Sequence, residues 1–147
     1  MTLTVRQLLD RKSSGIYSTR PEASVLEALE LMAREDISSV LVTEGDALKG
    51  IFTERDYARK VILRGRNSRD TVIRELMTSN LITITPDQTI ADCMSIMTDR
   101  HIRHLPVLEG GKVVGLISIG DVVKSIISDQ EATINQLSGY ISGDLQA

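Results

Sequence analysis

The chain has a single cysteine, Cys93, among its 147 residues. An internal disulfide is therefore impossible, and a reducing compartment suits the protein. No apolar run reaches the length of a membrane span. The start, Met1-Thr2-Leu3-Thr4-Val5-Arg6, lacks a basic segment followed by an apolar one, so no secretory signal is read there. These absences predict a cytoplasmic protein with no membrane partner. Positive charge is also short. Lys and Arg number 17 against 20 Asp and Glu, a formal net charge of −3. That balance disfavours nucleic acid as the main partner, Arg64, Arg66 and Arg69 notwithstanding.

Catalytic groupings are missing as well. Asp56 and Asp121 stand a whole repeat apart, and nothing supplies a nucleophile or base beside either. No enzyme is predicted. His101 and His104, read as three apart on one strand, point to opposite faces and make no metal pair. Cys93 falls on an apolar helical stripe, as a core thiol.

The 41% hydrophobic fraction is that of a soluble globular protein. Taken in order, Thr4 to Lys12 reads as a short helix with a Thr4/Gln7 capping box. Ile16 to Thr19 is extended. Ser24 and Glu27 open a strong helix with Val25, Ala28, Leu29 and Met32 on its buried stripe. Ile37 to Thr43 and Ala47 to Phe52 form a hairpin around Glu44-Gly45-Asp46. A second helix runs from about Glu54 to Arg64 and stops at Gly65.

After the polar stretch 66–71 the pattern returns. Asp121 follows Asp56 by 65 residues, and with that shift Ile16 to Arg59 aligns with the second half without a gap. Identical pairs include Pro21/Pro86, Met32/Met97, Gly45/Gly110, Gly50/Gly115 and Asp56/Asp121. This predicts an α/β fold built from a tandem β-α-β-β-α repeat. Each unit would leave a sheet face open, so the two should pack with pseudo-two-fold symmetry and two related clefts. The predicted division is 1–65 for the first repeat, 66–71 for a linker, 72–129 for the second repeat and 130–147 for a helical tail. In that tail Ile134, Leu137 and Ile141 form a stripe that would pack on the body or on a second chain.

Each repeat ends in the same way: Gly50-Ile51-Phe52-Thr53-Glu54-Arg55-Asp56 and Gly115-Leu116-Ile117-Ser118-Ile119-Gly120-Asp121. A hydroxyl closes a strand, and an aspartate sits in the first turn of the next helix. Unpaired N–H groups and the helix dipole favour an anion there. A carboxylate can accept hydrogen bonds from ribose hydroxyls, and a hydroxyl can donate to phosphate. The same residues also make good helix caps, and the two roles overlap.

This duplicated glycine-apolar-x-Thr/Ser-x-x-Asp pattern resembles a CBS-domain pair, or Bateman module, over nearly the whole chain. Glu54-Arg55-Asp56-Tyr57, Ile102-Arg103-His104-Leu105-Pro106 and Ser118-Ile119-Gly120-Asp121 are similar to stand-alone members of that family. The resemblance implies a regulatory homodimer that binds an adenosine-containing small molecule, of the AMP, ATP or NAD(H) kind, and acts on a protein partner. It implies ribose contacts from Asp56 and Asp121, and ribose or phosphate contacts from Thr53 and Ser118. The extended segments Ile16-Tyr17-Ser18 and Leu81-Ile82-Thr83, with Ile37 and Ile102, would wall the adenine. Arg103 and His104 stand where basic residues meet phosphate in the related gamma subunit of AMP-activated protein kinase. The sites are expected to differ, because the second copy has Gly120 where the first has Arg55, and Pro106 where the first has Leu41. The alternative is a scaffold whose motifs are only caps and whose C-terminal helix recruits a partner.

Overall fold

The computed structural model describes residues 3–12 and 15–146, the last eight of them by backbone alone. The elements in order are helix α1 (Val5–Arg11), strand β1 (Ser18–Thr19), helix α2 (Val25–Glu35), strands β2 (Ser39–Glu44) and β3 (Ala47–Thr53), and a short helix α3 (Glu54–Asp56) that widens into a π-helical stretch (Tyr57–Ile62). A 3₁₀ turn (Ile73–Glu75), helix α4 (Ile90–Arg100), strands β4 (His104–Glu109) and β5 (Lys112–Ser118), and helix α5 (Ile119–Gln146) follow.

The chain divides into two compact units. One holds Ser14–Thr83 and Pro106–Gly115; the other holds Met1–Ser13, Ile84–Leu105 and Leu116–Ala147. In the first, β1 runs parallel to β2, with Ser18 opposite Leu41, and β2 runs antiparallel to β3, with Val40 opposite Phe52. The stripe read for α2 is the inner face. Val25, Ala28 and Met32 are buried with Val40, Val42, Phe52, Val61, Ile73 and Leu76, and Leu29 packs on them half-buried. In the second unit Val5, Leu8, Ile84, Ile90, Cys93, Met97, Leu105, Ile117 and Val122 are buried. β4 and β5 pair as a two-stranded sheet.

Capping decides where the helices start. Thr4 and Gln7, and Thr89 and Asp92, form reciprocal boxes, and the Ser24 hydroxyl accepts the Glu27 N–H. The helices α2 and α4 end at left-handed residues, Asp36 (φ 53°) and His101 (φ 55°). His101 therefore closes a helix rather than lying on a strand, and β4 begins only at His104.

The leaders before each repeat exchange places. Val5 and Arg6 donate to the carbonyls of Gln88 and Pro86 at 2.8 and 2.9 Å, and Ile90 donates to Leu3 at 2.9 Å. Ile73 and Arg74 repeat this on Ala23 and Pro21 at 2.8 and 3.0 Å, and Val25 donates to Thr71 at 2.8 Å. The leader ahead of the first repeat thus caps the second repeat's helix, and the segment between the repeats caps the first's. Satisfying the unpaired N–H groups at a helix start is the physical reason.

Two other elements differ from the sequence reading. The helix after Asp56 is not regular: Leu63 donates to Ala58, and Arg66 to Val61, five residues back. The tail is not a separate helix. The helix α5 runs unbroken for 28 residues, about 42 Å, through Gly139. Ile134 and Leu137 are 60% and 57% exposed and do not pack on the body; the Ile141 side chain lies outside the described residues.

Candidate functional site

Both hydroxyl–aspartate motifs sit where a strand becomes a helix. In the first, the Thr53 N–H donates to Asp56 Oδ2 at 3.0 Å, and the Asp56 N–H donates to Thr53 Oγ1 at 3.1 Å. In the second, the Ser118 N–H donates to Asp121 Oδ2 at 2.9 Å, and the Asp121 N–H to Ser118 Oγ at 3.1 Å. Each is a capping box with aspartate in the reciprocal position. The residue just before the neighbouring strand is tied in the same way. Glu54 N–H donates to the Ser38 carbonyl at 3.0 Å, and Ile119 N–H to the Arg103 carbonyl at 2.9 Å.

The glycine that leads into the first motif has a steric cause. A Cβ at Gly50 would meet Met77 Sδ at 2.8 Å and the Thr78 carbonyl at 2.9 Å, because Thr78 bridges Ile51 across this strand.

The surroundings of the two carboxylates differ. Asp56 is 8% exposed. The Thr53 hydroxyl also donates to its Oδ2 at 3.1 Å, and the Thr78 hydroxyl donates to Oδ1 at 3.2 Å. Lys60, four residues on, pairs with Oδ1 at 3.1 Å and donates to the Leu76 carbonyl at 3.0 Å. Asp121 keeps a side chain 20% exposed. Its cation is Lys12, just past the end of α1, at 2.8 Å from Oδ2. Lys12 also donates to the Leu116 carbonyl at 2.7 Å. Burial pushes the Asp121 carboxyl up, but the Lys12 ammonium and the Ser118 donors outweigh it and hold the group below the ordinary carboxylate value.

The other predicted site residues divide between the units. Arg55 is exposed beside Asp56, whereas Gly120 leaves the matching place bare. Space does not forbid a side chain at 120, where a Cβ would meet Ser118 Oγ at 3.6 Å. Ile16 is 46% exposed, Ser18 lies on β1, and the Tyr17 carbonyl accepts the Leu41 N–H at 3.1 Å. A hydrogen bond to Glu35 raises the Tyr17 phenol above its ordinary pKa. Ile37 packs on its unit's core, Leu81 is half-buried, Thr83 is exposed and Pro106 is buried. In the other unit Ile102 is half-buried, Arg103 exposed, and His104 half-buried at the head of β4.

Sequence reasoning missed Lys12, Lys60 and Thr78. For Lys60 a signal existed, since it stands one helical turn after Asp56. For Lys12 and Thr78 the proximity arises from the exchanged leaders. Cys93 is fully buried, and burial pushes its thiol up to about 11, which makes it a poor nucleophile. Among the described residues no group of three or more His, Cys, Asp and Glu is placed to hold a metal ion. Among them also, no helix is long and apolar enough to cross a membrane.

The CBS domain family matches residues 5–63 and 73–128. The chain is 38% identical over 125 residues to CBS domain-containing protein CBSX3, mitochondrial, of Arabidopsis thaliana, covering 82% of this chain and 61% of that relative. It thus spans about three-fifths of that protein's length. A solved protein with CBS domains from Burkholderia ambifaria MC40-6 superimposes with a TM-score of 0.83 at 48% identity, over 86% of this chain and 96% of that one. A CBS domain pair solved in complex with 5-methylthioadenosine and S-adenosyl-L-methionine shares the fold, with a TM-score of 0.78 at 24% identity, over 88% of this chain and 99% of the other. Two family matches on one chain, each ending in a strand–hydroxyl–aspartate–helix junction, make this protein a member of the CBS-domain family, with its two CBS repeats in tandem.

Proposed function

We propose that this CBS pair is a non-catalytic regulatory module. It binds an adenosine-containing small molecule such as AMP, ATP or NAD(H), works as a homodimer in the cytoplasm, and changes its affinity for a protein partner on binding. One observation carries the reading. The same hydroxyl–aspartate junction, tied to the carbonyl just before the neighbouring strand, is built twice. A carboxylate held in fixed orientation at a helix start accepts ribose hydroxyls, and the helix end favours phosphate. The relative bound to 5-methylthioadenosine and S-adenosyl-L-methionine supports adenosine as the common chemical part. Thr53 and Ser118 would hold ribose or phosphate, Asp56 and Asp121 ribose. Arg55, Arg103 and His104 supply positive charge for phosphate.

The test is a thermal-shift panel with AMP, ATP, NAD⁺, NADH and S-adenosylmethionine. A ligand at a hundred times its Kd should add about 2.7 kcal/mol. That shift should vanish in the Asp56→Ala/Asp121→Ala double variant. A shift that survives in the double variant would remove these carboxylates from the site.

The exposed Ile134 and Leu137 of α5 favour a second reading, a scaffold whose last helix recruits a partner. It predicts silence across the nucleotide panel. It also predicts loss of self-association or partner capture in Ile134→Asp/Leu137→Asp.

A further inference from the structure

Counting donors and acceptors separates the two junctions. Both oxygens of Asp56 are taken: Oδ2 by the Thr53 N–H and hydroxyl, Oδ1 by the Thr78 hydroxyl and Lys60. An ammonium carries three N–H groups. Lys60 has three acceptors around it: the Leu76 carbonyl, Asp56 Oδ1 and, at 3.5 Å, Thr78 Oγ1. Nothing in that cluster remains to be offered.

The second junction is less complete. The Ser118 N–H and Lys12 fall on Asp121 Oδ2, the Ser118 hydroxyl also bonds to the carboxylate, and no second hydroxyl matches Thr78 among the described residues. Lys12 has two acceptors there, the Leu116 carbonyl and Asp121 Oδ2, for its three N–H groups. Lys12 and Asp121 are 26% and 20% exposed at the side chain, so the pair is reachable from solvent. One acceptor and one cationic donor therefore stand side by side. A ribose hydroxyl next to a phosphate presents the matching donor and acceptor.

We infer that the Asp121–Lys12 pair is the receptive junction for an adenosine phosphate, with Lys12 contacting the phosphate, and that the Asp56–Lys60–Thr78 cluster is structural. This rests on the nucleotide-binding reading and narrows it from two junctions to one, leaving Asp56 a capping role only. Lys12 is a residue that the repeat pattern does not mark, since it belongs to the leader. A fixed ammonium beside the ribose carboxylate selects a ligand with negative charge near the ribose. A sulfonium ligand meets repulsion there.

The experiment is calorimetric titration of AMP and of adenosine into wild type, Lys12→Met, Lys12→Arg and Lys60→Met, with circular dichroism melts as the folding control. The expected result is about one AMP per chain. Lys12→Met should weaken AMP at least tenfold and leave adenosine within twofold, and Lys12→Arg should restore most of the loss. Lys60→Met should bind AMP within twofold of wild type. Equal loss of AMP and adenosine in Lys12→Met would make Lys12 merely structural and overturn the inference. Loss of AMP in Lys60→Met, or two equal sites in wild type, would overturn it as well. Failure of wild type to bind AMP would overturn the inference; silence across the whole thermal-shift panel as well would take down the underlying reading, which the other outcomes leave standing.

Discussion

Asp56 draws its cation from its own helix, one turn on, whereas Asp121 draws it from the leader at the other end of the chain. The capping boxes around the two are the same to within about a tenth of an ångström in each bond. What was duplicated in sequence was the local junction, and the local junction is what repeats in space. The counter-charge was not duplicated. Ser125 stands 65 residues after Lys60, and Asp121 pairs with Lys12 rather than with Lys124 of its own helix. The leader fills the role from outside. One copy has become a sealed polar cluster, and the other remains partly solvated and dependent on a distant segment.

The two junctions rest on matching core residues. Phe52 and Ile117 occupy the same repeat position, and both are fully buried one residue before the motif hydroxyl. Phe52→Ala should cost about 3–5 kcal/mol in urea unfolding, and Ile117→Ala about 2–5. A loss below 1 kcal/mol at either site would contradict its place in the core. Gly50→Ala comes next. Its Cβ meets a backbone carbonyl as well as Met77, and the carbonyl cannot swing away. A cost of about 1–3 kcal/mol is expected. An unchanged urea midpoint would mean that Thr78 does not cross β3 as described.

The pH dependence sharpens the contrast more gently. The native Asp121 carboxyl is held below its ordinary value. Its contribution is therefore fully present above the unfolded pKa of about 3.9, and it is lost as pH falls through the lower native value. In Lys12→Met the ion pair is gone, so stability at pH 7 should drop while the loss between pH 5 and pH 2 becomes shallower. Parallel wild-type and variant profiles would show that Lys12 does not set this titration. The smallest effect belongs to Arg74→Ala. Its partner Glu22 is held below the ordinary carboxylate value by the Arg74 hydrogen bond, yet both side chains are more than half exposed. Solvent screening leaves such pairs little net worth, and the urea midpoint should not move.

Much of this was legible in the sequence because it is local. The 65-residue register, the Thr4/Gln7 and Thr53/Asp56 boxes, and the buried stripe of α2 depend on residues three or four apart. The strand edges were less legible. Ile37 and Ile102 read as strand because they are apolar, but each lies between a left-handed helix end and the first strand residue. The length of α5 was less legible because Gly139 weakens the local helical signal, yet the helix runs past it. The π-helical turn after Asp56 has no local mark. The candidate site was legible in its hydroxyls and aspartates. Their cations were hidden, because whether Lys12 reaches Asp121 is decided by where α1 docks.

That docking sets an order of assembly. The segment from Thr71 to Arg74 reaches back only to Pro21–Val25, so its pairing is available soon after it leaves the ribosome. The helix α1 has no such choice. Its backbone partners, Pro86 to Ile90, are made far later, and Asp121 later still. Until then α1, made well before its partners, stays uncommitted. Contacts of that sequence separation slow folding. The receptive junction is thus completed by a closure of about a hundred residues. It is the part that a truncated or stalled chain lacks, so nucleotide binding would report that synthesis had passed α5's first turn.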